Sequence, residues 1–265
     1  MKLCVVIPAH NERENIEPTV QELRRCLASE SVTHEILIIN DHSTDGTEAV
    51  LVRLCNKFPS IRYLNNPYSP GFGLAVRCGL ENFTGDAVAL YMADASDRPE
   101  DLVTFFRTMM IEGVDCVFGS RFSKGGRLVD YPFPKLIFNR LGNHFVRLLF
   151  RLRYDDVTNA FKLYKRHVIE GVKPILSQHF NLTVELPLKA IIRGYSYSIV
   201  PNQWVNRKTG ESKLKIKEMG SRYLFIVLYC FIEKWLSRGD YHSRATPFRH
   251  AEGTKSEAAG KSNKV

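Results

Sequence analysis

The stretch that decides the fold is AVALYMADASDRPED, residues Ala87–Asp101. It opens with a short apolar run, Ala87–Tyr91, of the kind that is buried on both faces of a sheet. It closes with a proline and two acids, a pattern typical of a first helical turn, so Pro99–Glu112 is predicted to be a helix. Asp94 and Asp97 lie between these elements. This acidic turn is either a metal and phosphate site at a strand end or a polar turn that starts the next helix.

The same order of strand, polar turn and helix recurs along the first half of the chain. The other predicted strands are Leu3–Ile7, Glu35–Ile39, Ile61–Leu64 and Val114–Gly119, and the predicted helices between them are Glu14–Ala28, Asp45–Asn56 and Gly73–Asn82. Strands that alternate with helices imply parallel βαβ units. The predicted class is therefore α/β, with a mostly parallel central sheet flanked by helices.

Beyond Arg121 the pattern is less regular. Helices are predicted at Pro134–Leu152 and Leu182–Arg193, the second with a kink or boundary at Pro187, and strands at Phe161–Tyr164, Ser196–Val200 and Gln203–Val205.

Polar clusters follow four of the predicted strands. They are His10-Asn11-Glu12, Asn40-Asp41-His42-Ser43, the acidic turn from Asp94 to Asp97, and Ser120-Arg121. In open α/β sheets ligands bind beyond the carboxyl ends of the strands, so these clusters are predicted to share one rim. Mg²⁺ prefers one or two carboxylates and completes its shell with phosphate oxygens and water, which suits Asp94 with Asp97. Glu100 and Asp101 are instead interpreted as acids at a helix N-terminus.

Composition restricts the partners. The 265 residues carry a net charge of +9, which favours polyanions such as nucleic acid, an anionic membrane surface or phosphorylated substrates. No zinc-finger spacing or RNP-like aromatic motif is present, so nucleic acid is not expected. Six scattered cysteines indicate reduced core residues. The N-terminal apolar run stops at Pro8 and does not resemble a signal peptide, so a cytoplasmic location is expected.

The C-terminal segment Lys213–Leu236 combines basic residues with an apolar core, Tyr223–Ile232. That core is too short to span a bilayer, which needs about 20 residues, but it suits the bilayer interface. The alternative is an ordinary buried helix. The last 25 residues, 241–265, are basic and predicted to be disordered.

Several segments together resemble the family 2 glycosyltransferases with the GT-A fold. IPAHNE (Ile7–Glu12), INDHSTDGT (Ile39–Thr47) and the acidic strand end carry this resemblance. GSRFSKGG (Gly119–Gly126), DVTNAFKLYK (Asp156–Lys165) and VNRKTGESKL (Val205–Leu214) are similar to the dolichol- and polyprenyl-phosphate sugar synthases. The resemblance implies a GT-A nucleotide-diphospho-sugar transferase domain over residues 1–212. A basic and apolar C-terminal helix over 213–240 and the tail 241–265 would follow.

The resemblance also implies an activity and its partners. The protein would be an inverting transferase that moves a hexose from GDP-mannose or a UDP-sugar to a polyprenyl or dolichyl phosphate. It would use Mg²⁺ or Mn²⁺ and act at the inner face of the cytoplasmic membrane, and a membrane-anchoring subunit is left open. Two alternatives remain, namely a transferase to a saccharide hydroxyl and a catalytically silent binding subunit of the same fold.

The resemblance assigns a role to each candidate site residue. For the donor, the base and ribose pocket would be lined by Pro8, Ala9, Asn11, Glu12 and Asp41, and the diphosphate would be bound by Arg207, Ser212 and Lys213. The metal would be held by Asp94 and Asp97. For the acceptor, the phosphate would be held by Arg121 and Arg140, and the sugar and acceptor site would be shaped by Asp156 and Glu185. Guanidinium groups suit the phosphate role because their planar fork fits phosphate oxygens bidentately.

The acceptor's chemistry decides whether a general base is needed. A lipid monophosphate is mostly deprotonated at neutral pH and is already a nucleophile, whereas a sugar hydroxyl would require a base, for which Asp156 or Glu185 are the candidates. Two positions depart from the family's pattern. Met92 stands where the family usually has the first acid of its metal motif, and Asn40 replaces the first of two aspartates after the second strand.

Overall fold

A computed structural model describes residues 1–206 and 216–242. Its strands are β1 Leu3–Ala9, β2 His34–Asn40, β3 Ile61–Asn65, β4 Ala87–Leu90, β5 Cys116–Ser120, β6 Arg127–Val129, β7 Lys162–Lys165, β8 Tyr197–Pro201 and β9 Gln203–Val205. Its helices are α1 Ile16–Ser29, α2 Thr47–Lys57, α3 Phe72–Asn82, α4 Pro99–Glu112, α5 Phe133–Phe150, α6 Arg166–Gly171, α7 Leu182–Ile192 and α8 Ile216–Leu236.

Seven strands form the central sheet in the order β3-β2-β1-β4-β7-β5-β8. All neighbouring pairs are parallel except those of β7, which runs antiparallel to both β4 and β5. A second, two-stranded parallel sheet pairs β6 with β9. The α/β class and the mostly parallel sheet are confirmed. The antiparallel insertion of β7, and the short elements β6 and α6, were not predicted from the sequence.

The sheet separates two apolar layers, and β1 shows how one strand feeds both. Its residues are buried on each face, with Leu3, Val5 and Ile7 in one cluster and Cys4 and Val6 in the other. Helices α1, α2 and α4 cover the first layer, and α3, α5, α7 and α8 cover the second. Burial on both faces explains why the strands are continuous apolar runs rather than alternating ones.

Local sequence sets the ends of several helices. Pro99 begins α4, as predicted, and Gly113 ends it with φ 69°, a left-handed conformation that favours glycine. At α2 the structural N-cap is Gly46, while the Asp45 carboxylate accepts the backbone N–H of Thr47 at 3.0 Å. Helix α7 continues through Pro187 to Ile192, so the boundary considered at that proline is not found.

Helix α8 has one buried and one exposed face. Ile226, Val227 and Cys230 are buried in the core. Glu233 of α8 and Arg193, the residue that directly follows α7, form a buried two-point ion pair, with Nε–Oε1 at 2.6 Å and Nη2–Oε2 at 2.9 Å. None of the helices in the described residues has the length and hydropathy required to cross a membrane.

We predict that two glycine substitutions change stability in opposite directions. A Cβ at Gly79 on α3 would lie 2.3 Å from Val6 Cγ1 of β1, so Gly79→Ala is expected to destabilise the protein by about 1–3 kcal/mol. A Cβ at Gly142 on α5 meets no atom within 4 Å, so Gly142→Ala is expected to stabilise it by about 0.5–1 kcal/mol. Urea unfolding of both variants provides the measurement. A Gly79→Ala protein as stable as the wild type would show that α3 does not pack against β1 this closely.

Candidate active site

A cleft of about 560 Å³ lies at the carboxyl ends of the parallel strands. Residues that follow β1, β2, β4 and β5 form its floor, and residues of α5, α7, α8 and β9 form its walls. The lining side chains include Pro8, Ala9, His10, Glu12, Asp41, Met92, Asp94, Asp97, Arg121, Tyr131, Lys135, Asn139, Thr158, Phe180, Thr183, Trp204, Arg222 and Tyr223. The predicted convergence of polar strand ends on one rim is therefore observed.

Asp41 organises one end of the cleft. Its Oδ1 accepts a hydrogen bond from Asn66 Nδ2 at 2.8 Å, and its Oδ2 accepts the backbone N–H of Gly71 at 2.9 Å. His10 Nδ1 lies 2.5 Å from the backbone oxygen of Asp41. The carboxylate thus fixes the loop from residue 66 to 71 against the ends of β1 and β2, which shapes the pocket beside Pro8 and Ala9.

Asn11 is near this pocket but does not line it. It has φ 54°, its backbone N–H donates to Ser43 Oγ at 3.0 Å, and its Oδ1 accepts the N–H of Thr44 at 2.8 Å. Its observed role is to connect the loops after β1 and β2. Glu12, by contrast, lines the cleft as predicted.

The acidic turn holds two buried carboxylates. Asp94 Oδ1 accepts the backbone N–H of Ser96 at 3.2 Å, and Ala95 between them has φ 55°. Asp97 is buried, and its Oδ1 has no hydrogen-bond partner in the structure. Burial and the charge of Asp94 raise the pKa of Asp97 to about 8, which Arg121 partly opposes. Met92 lines the same part of the cleft.

This carboxylate pair fits a divalent cation. An unpartnered buried carboxylate oxygen is costly, and a cation would offset both that cost and the repulsion from Asp94. Within the described residues, no group of three or more His, Cys, Asp and Glu side chains could hold a metal together. Hard-cation sites that use one or two carboxylates take their other ligands from phosphate and water, so the pair is sufficient only when a phosphate ligand is also bound.

The last three residues of the stretch Ala87–Asp101 have structural or surface roles. Pro99 begins α4, Glu100 lies on the surface beside Arg98, and Asp101 Oδ2 accepts the backbone N–H of Gln203 at 2.8 Å. Next to this contact, the backbones of Asp97 and Trp204 pair as an isolated antiparallel β-bridge. Strand β9 therefore lies directly against the acidic turn, and Trp204 forms part of the cleft wall.

Arg121 and Asp156 form a buried ion pair under the cleft. The Asp156 carboxylate accepts from the Arg121 backbone N–H at 2.9 Å, from Nε at 2.8 Å and from Nη2 at 2.7 Å. The partnership raises the pKa of Arg121 against the effect of burial. Arg121 lines the cleft, whereas Asp156 is fully buried behind it. Asp156 therefore influences the cleft indirectly, by fixing the position of the Arg121 side chain.

Arg140 and Glu185 lie outside the lining. The guanidinium of Arg140 stacks 4.4 Å from the Phe122 ring, and that of Arg121 lies 5.6 Å from the same ring. Glu185 is fully buried and accepts the N–H groups of Leu176 and Ser177 and the ammonium of Lys189. The structure therefore does not bring Glu185 to the sugar and acceptor site, because its carboxylate is buried and accepts hydrogen bonds that fix the segment before α7.

Three predicted residues, Arg207, Ser212 and Lys213, lie outside the described residues. Conversely, the cleft contains residues that were not predicted, notably Lys135, Trp204, Arg222 and Tyr223. The predicted helix Pro134–Leu152 is basic on one face, with Lys135, Arg140, Arg147 and Arg151, and this face is a sequence signal for the first of these. The others come from elements whose position relative to the rim could not be inferred from periodicity.

Lys162 is a further buried cation behind the cleft. Its ammonium donates to the backbone oxygens of Val157 at 3.0 Å, Thr183 at 3.1 Å and Asn159. Burial lowers its pKa to about 7, while Asp156 opposes that shift. Three acceptors converge on one nitrogen, and only the charged form has three N–H donors, so this geometry favours the ammonium.

Comparison with known proteins identifies the family of the chain. The sequence pattern of glycosyl transferase family 2 matches residues 4–172. The chain belongs to glycosyl transferase family 2.

Two curated relatives are similar over most of the chain. A polyprenol monophosphomannose synthase from Mycolicibacterium smegmatis is 29% identical over 219 residues, covering 80% of this chain and 81% of the relative. A dolichol-phosphate mannosyltransferase from Pyrococcus furiosus is 30% identical over 222 residues, covering 82% of this chain but only 60% of the relative.

A solved structure shows the same fold. Glucosyl-3-phosphoglycerate synthase from Mycobacterium tuberculosis, in complex with Mn²⁺, UDP and glucosyl-3-phosphoglycerate, superposes with a TM-score of 0.64 at 16% identity. The match covers 88% of this chain and 79% of that one. This confirms the GT-A fold, because that similarity extends across almost the whole architecture.

We predict that Asp156→Ala strongly destabilises the protein. The change leaves the buried Arg121 guanidinium without its partner, and breaking a buried ion pair in this way costs about 3–5 kcal/mol. Glu100→Ala removes an exposed pair with Arg98 and is the control, with an expected effect of about 0–1 kcal/mol. Urea unfolding measures both. Similar losses in the two variants would contradict a tightly held Arg121.

Proposed function

We propose that this protein is an inverting glycosyltransferase that moves a hexose from a nucleotide sugar, GDP-mannose or a UDP-sugar, to a polyprenyl or dolichyl phosphate. The observation that carries the proposal is the composition of the cleft walls. An acidic pair and several cationic side chains line the same cleft, and the helices that supply two of those cations also carry exposed apolar surfaces. The names of the two curated relatives agree with this substrate class.

The cations are suited to an acceptor phosphate. Lys135 of α5, Arg222 of α8 and Arg121 all line the cleft. Asp156 engages Nε and Nη2 of Arg121, so the guanidinium is held in one orientation before any ligand binds. Preorganised cations of this kind position a phosphate without further loss of side-chain entropy. We infer that the lipid phosphate attacks the anomeric carbon directly, and that no general base is required.

The donor side is assigned to the opposite end of the cleft. Asp41, Pro8, Ala9 and Glu12 would hold the base and ribose, and the diphosphate would lie towards Asp94 and Asp97. A divalent cation, Mg²⁺ or Mn²⁺, would neutralise the departing nucleoside diphosphate when bound by this pair. Arg207, Ser212 and Lys213 remain candidates for the same diphosphate. Because Met92 supplies no carboxylate, the metal would depend on Asp94 and Asp97 alone.

An apolar surface extends from the acceptor side, and we name it the α5/α8 surface. It consists of exposed side chains on the two helices: Phe133, Ile137, Phe138, Leu141, Phe145 and Leu148 on α5, and Leu224, Phe225, Leu228, Ile232, Trp235 and Leu236 on α8. The helices touch through Phe150 and Phe231, and Lys234 Nζ donates to the Phe150 backbone oxygen at 3.0 Å. The two sets of side chains therefore belong to neighbouring helices.

We propose that the α5/α8 surface contacts the cytoplasmic face of a membrane. Exposed apolar patches of this extent are unusual on monomeric proteins, and exposed basic residues accompany this one, including Arg147, Arg151 and Lys234. An apolar face with basic residues is the composition of interfacial helices. This composition also supports the proposed division of the chain. A transferase domain would cover 1–212, an interfacial helix 213–240 and a basic tail 241–265. In the structure, however, α8 also contributes to the core.

The activity is tested by transfer of labelled sugar from a panel of nucleotide sugars into an organic-extractable, acid-labile lipid. Transfer should require a divalent metal and stop with a chelator. Asp94→Asn should reduce the rate about 100-fold or more, because stabilisation of the leaving group is lost. Glu100→Gln removes an exposed charge from the same stretch and should retain the wild-type rate. A water-soluble product would favour a saccharide acceptor, and nucleotide binding without transfer would favour a silent subunit.

Membrane contact is tested by flotation with anionic liposomes in about 1 M salt, where the Debye length is about 3 Å and charge attraction is screened. The double variant Phe138→Gln/Phe225→Gln should lose about tenfold or more in lipid partition, because buried phenylalanine rings contribute about 1.5–3 kcal/mol each. Ile111→Gln alters an even more exposed apolar residue, on α4, and should float as the wild type does. Equal flotation of all three proteins would remove the membrane assignment. Flotation only with added membrane protein would instead favour an anchoring subunit.

A further inference from the structure

Beyond this assignment, and resting on it, we propose that Lys162 is a positioning residue that sets the spacing between two walls of the acceptor half of the cleft. Lys162 is the first residue of β7 and is only 1% exposed. Its position follows from the antiparallel insertion of β7, which places it beside Leu90 of β4 and Phe118 of β5.

The three carbonyls that Lys162 binds belong to two separate segments. Val157 and Asn159 lie in the loop before β7, and Thr183 lies in the first turn of α7. Both segments line the cleft, the loop through residues 158–160 and the helix through Thr183 with the neighbouring Phe180. One buried ammonium therefore joins two adjacent parts of the wall from behind.

Among the described residues, other hydrogen bonds hold the loop along its remaining edges, including those from Asn159 Nδ2 to the Gly119 oxygen at 2.9 Å and to Asn202 Oδ1 at 3.0 Å. At its start Asp156 is bound by Arg121, and at Thr158 it is bound by two asparagines of α5. Asn139 Nδ2 and Asn143 Nδ2 donate to Thr158 Oγ1 at 2.9 and 3.0 Å, and the Thr158 backbone N–H donates to Asn143 Oδ1 at 3.1 Å. These contacts fix the loop to β5 and α5. The Lys162 ammonium is the described side-chain group that also ties it to α7.

Burial of a lysine at this point is costly unless its hydrogen bonds are made. An ammonium removed from water must be compensated by well-placed acceptors, and three backbone oxygens supply that compensation here. An apolar side chain could fill the same volume without directional bonds to either segment. The lysine therefore contributes a fixed distance between the loop and α7, in addition to filling space.

Acceptor kinetics should reveal this role in Lys162→Met. Loss of the hydrogen bonds from Lys162 to the loop and to α7 should raise the KM for the lipid phosphate. It should lower kcat/KM for that substrate about 10–100-fold, as expected when a positioning wall is displaced by about 1 Å. The KM for the nucleotide sugar should stay within about threefold, because Asp41 and the acidic pair are held by other contacts. Lys162→Arg retains charge and several donors and should recover most of the activity.

Lys165→Met is the matched control. Lys165 lies on the same strand, but its partners are Asp115 and the Gly113 oxygen at the far end, and it is partly exposed. It should show wild-type acceptor kinetics. If Lys162→Met has the same KM for the lipid phosphate as this control, the proposal is wrong. Should Lys162→Met not fold, Lys162→Gln, which can donate two of the three bonds, should show an intermediate rise in acceptor KM, and wild-type kinetics in that variant would also overturn it.

Hydrogen exchange distinguishes failure of this inference from failure of the proposed function. If the wild-type chain transfers no sugar to lipid, the function is wrong, yet amide exchange can still be compared. Lys162→Met should then speed exchange in residues 157–160 and 180–184, while residues 41–71 stay unchanged. Unaltered exchange in both cleft segments would show that Lys162 does not position them.

Discussion

The reversal of one strand determines how this active-site cleft is built. Strands β1, β2, β4 and β5 all end at the same rim, which brings Pro8, Asp41 and the acidic turn together. Strand β7 runs the opposite way between β4 and β5, so the chain must approach from the rim before entering the sheet. The segment Asp156–Ala160 is thereby placed at the wall of the cleft, where Asp156 can hold Arg121 and Lys162 can reach the backbone from behind. The proposed acceptor half of the cleft depends on this reversal.

The electrostatic design of the cleft is unequal on its two sides. On the proposed acceptor side Arg121 has a buried carboxylate partner, and its charge is compensated by Asp156. On the proposed donor side one oxygen of Asp97 has no partner among the described residues, and burial and the charge of Asp94 raise the pKa of Asp97 to about 8, which Arg121 only partly opposes. Met92 adds no acid there. The described residues therefore stabilise the charge on one side of the site, while a cation and a phosphate would complete the proposed donor side.

Residues at the carboxyl ends of parallel strands could be placed from the sequence, because strand direction fixes where those ends lie. Pro8, Ala9, Glu12, Asp41, Asp94, Asp97 and Arg121 all line the cleft, because each lies at or shortly after such an end. Residues whose position depends on tertiary packing could not be placed in this way. Glu185 lies in a mostly apolar helix four residues before Lys189, a spacing that signals an internal ion pair rather than a cleft residue. The orientation of β7 could not be inferred, because a short apolar run has the same pattern in either direction.

The two faces of α8 have a thermodynamic consequence. Its inner face completes the core through Ile226, Val227 and Cys230, so the outer apolar face exists in its folded arrangement only when the whole domain is folded. A lipid surface that binds this face binds the native state and not the unfolded chain. Such a ligand raises apparent stability by about 2.7 kcal/mol at one hundred times its dissociation constant. The bilayer would then act as a folding ligand for the enzyme as well as the reservoir of its acceptor.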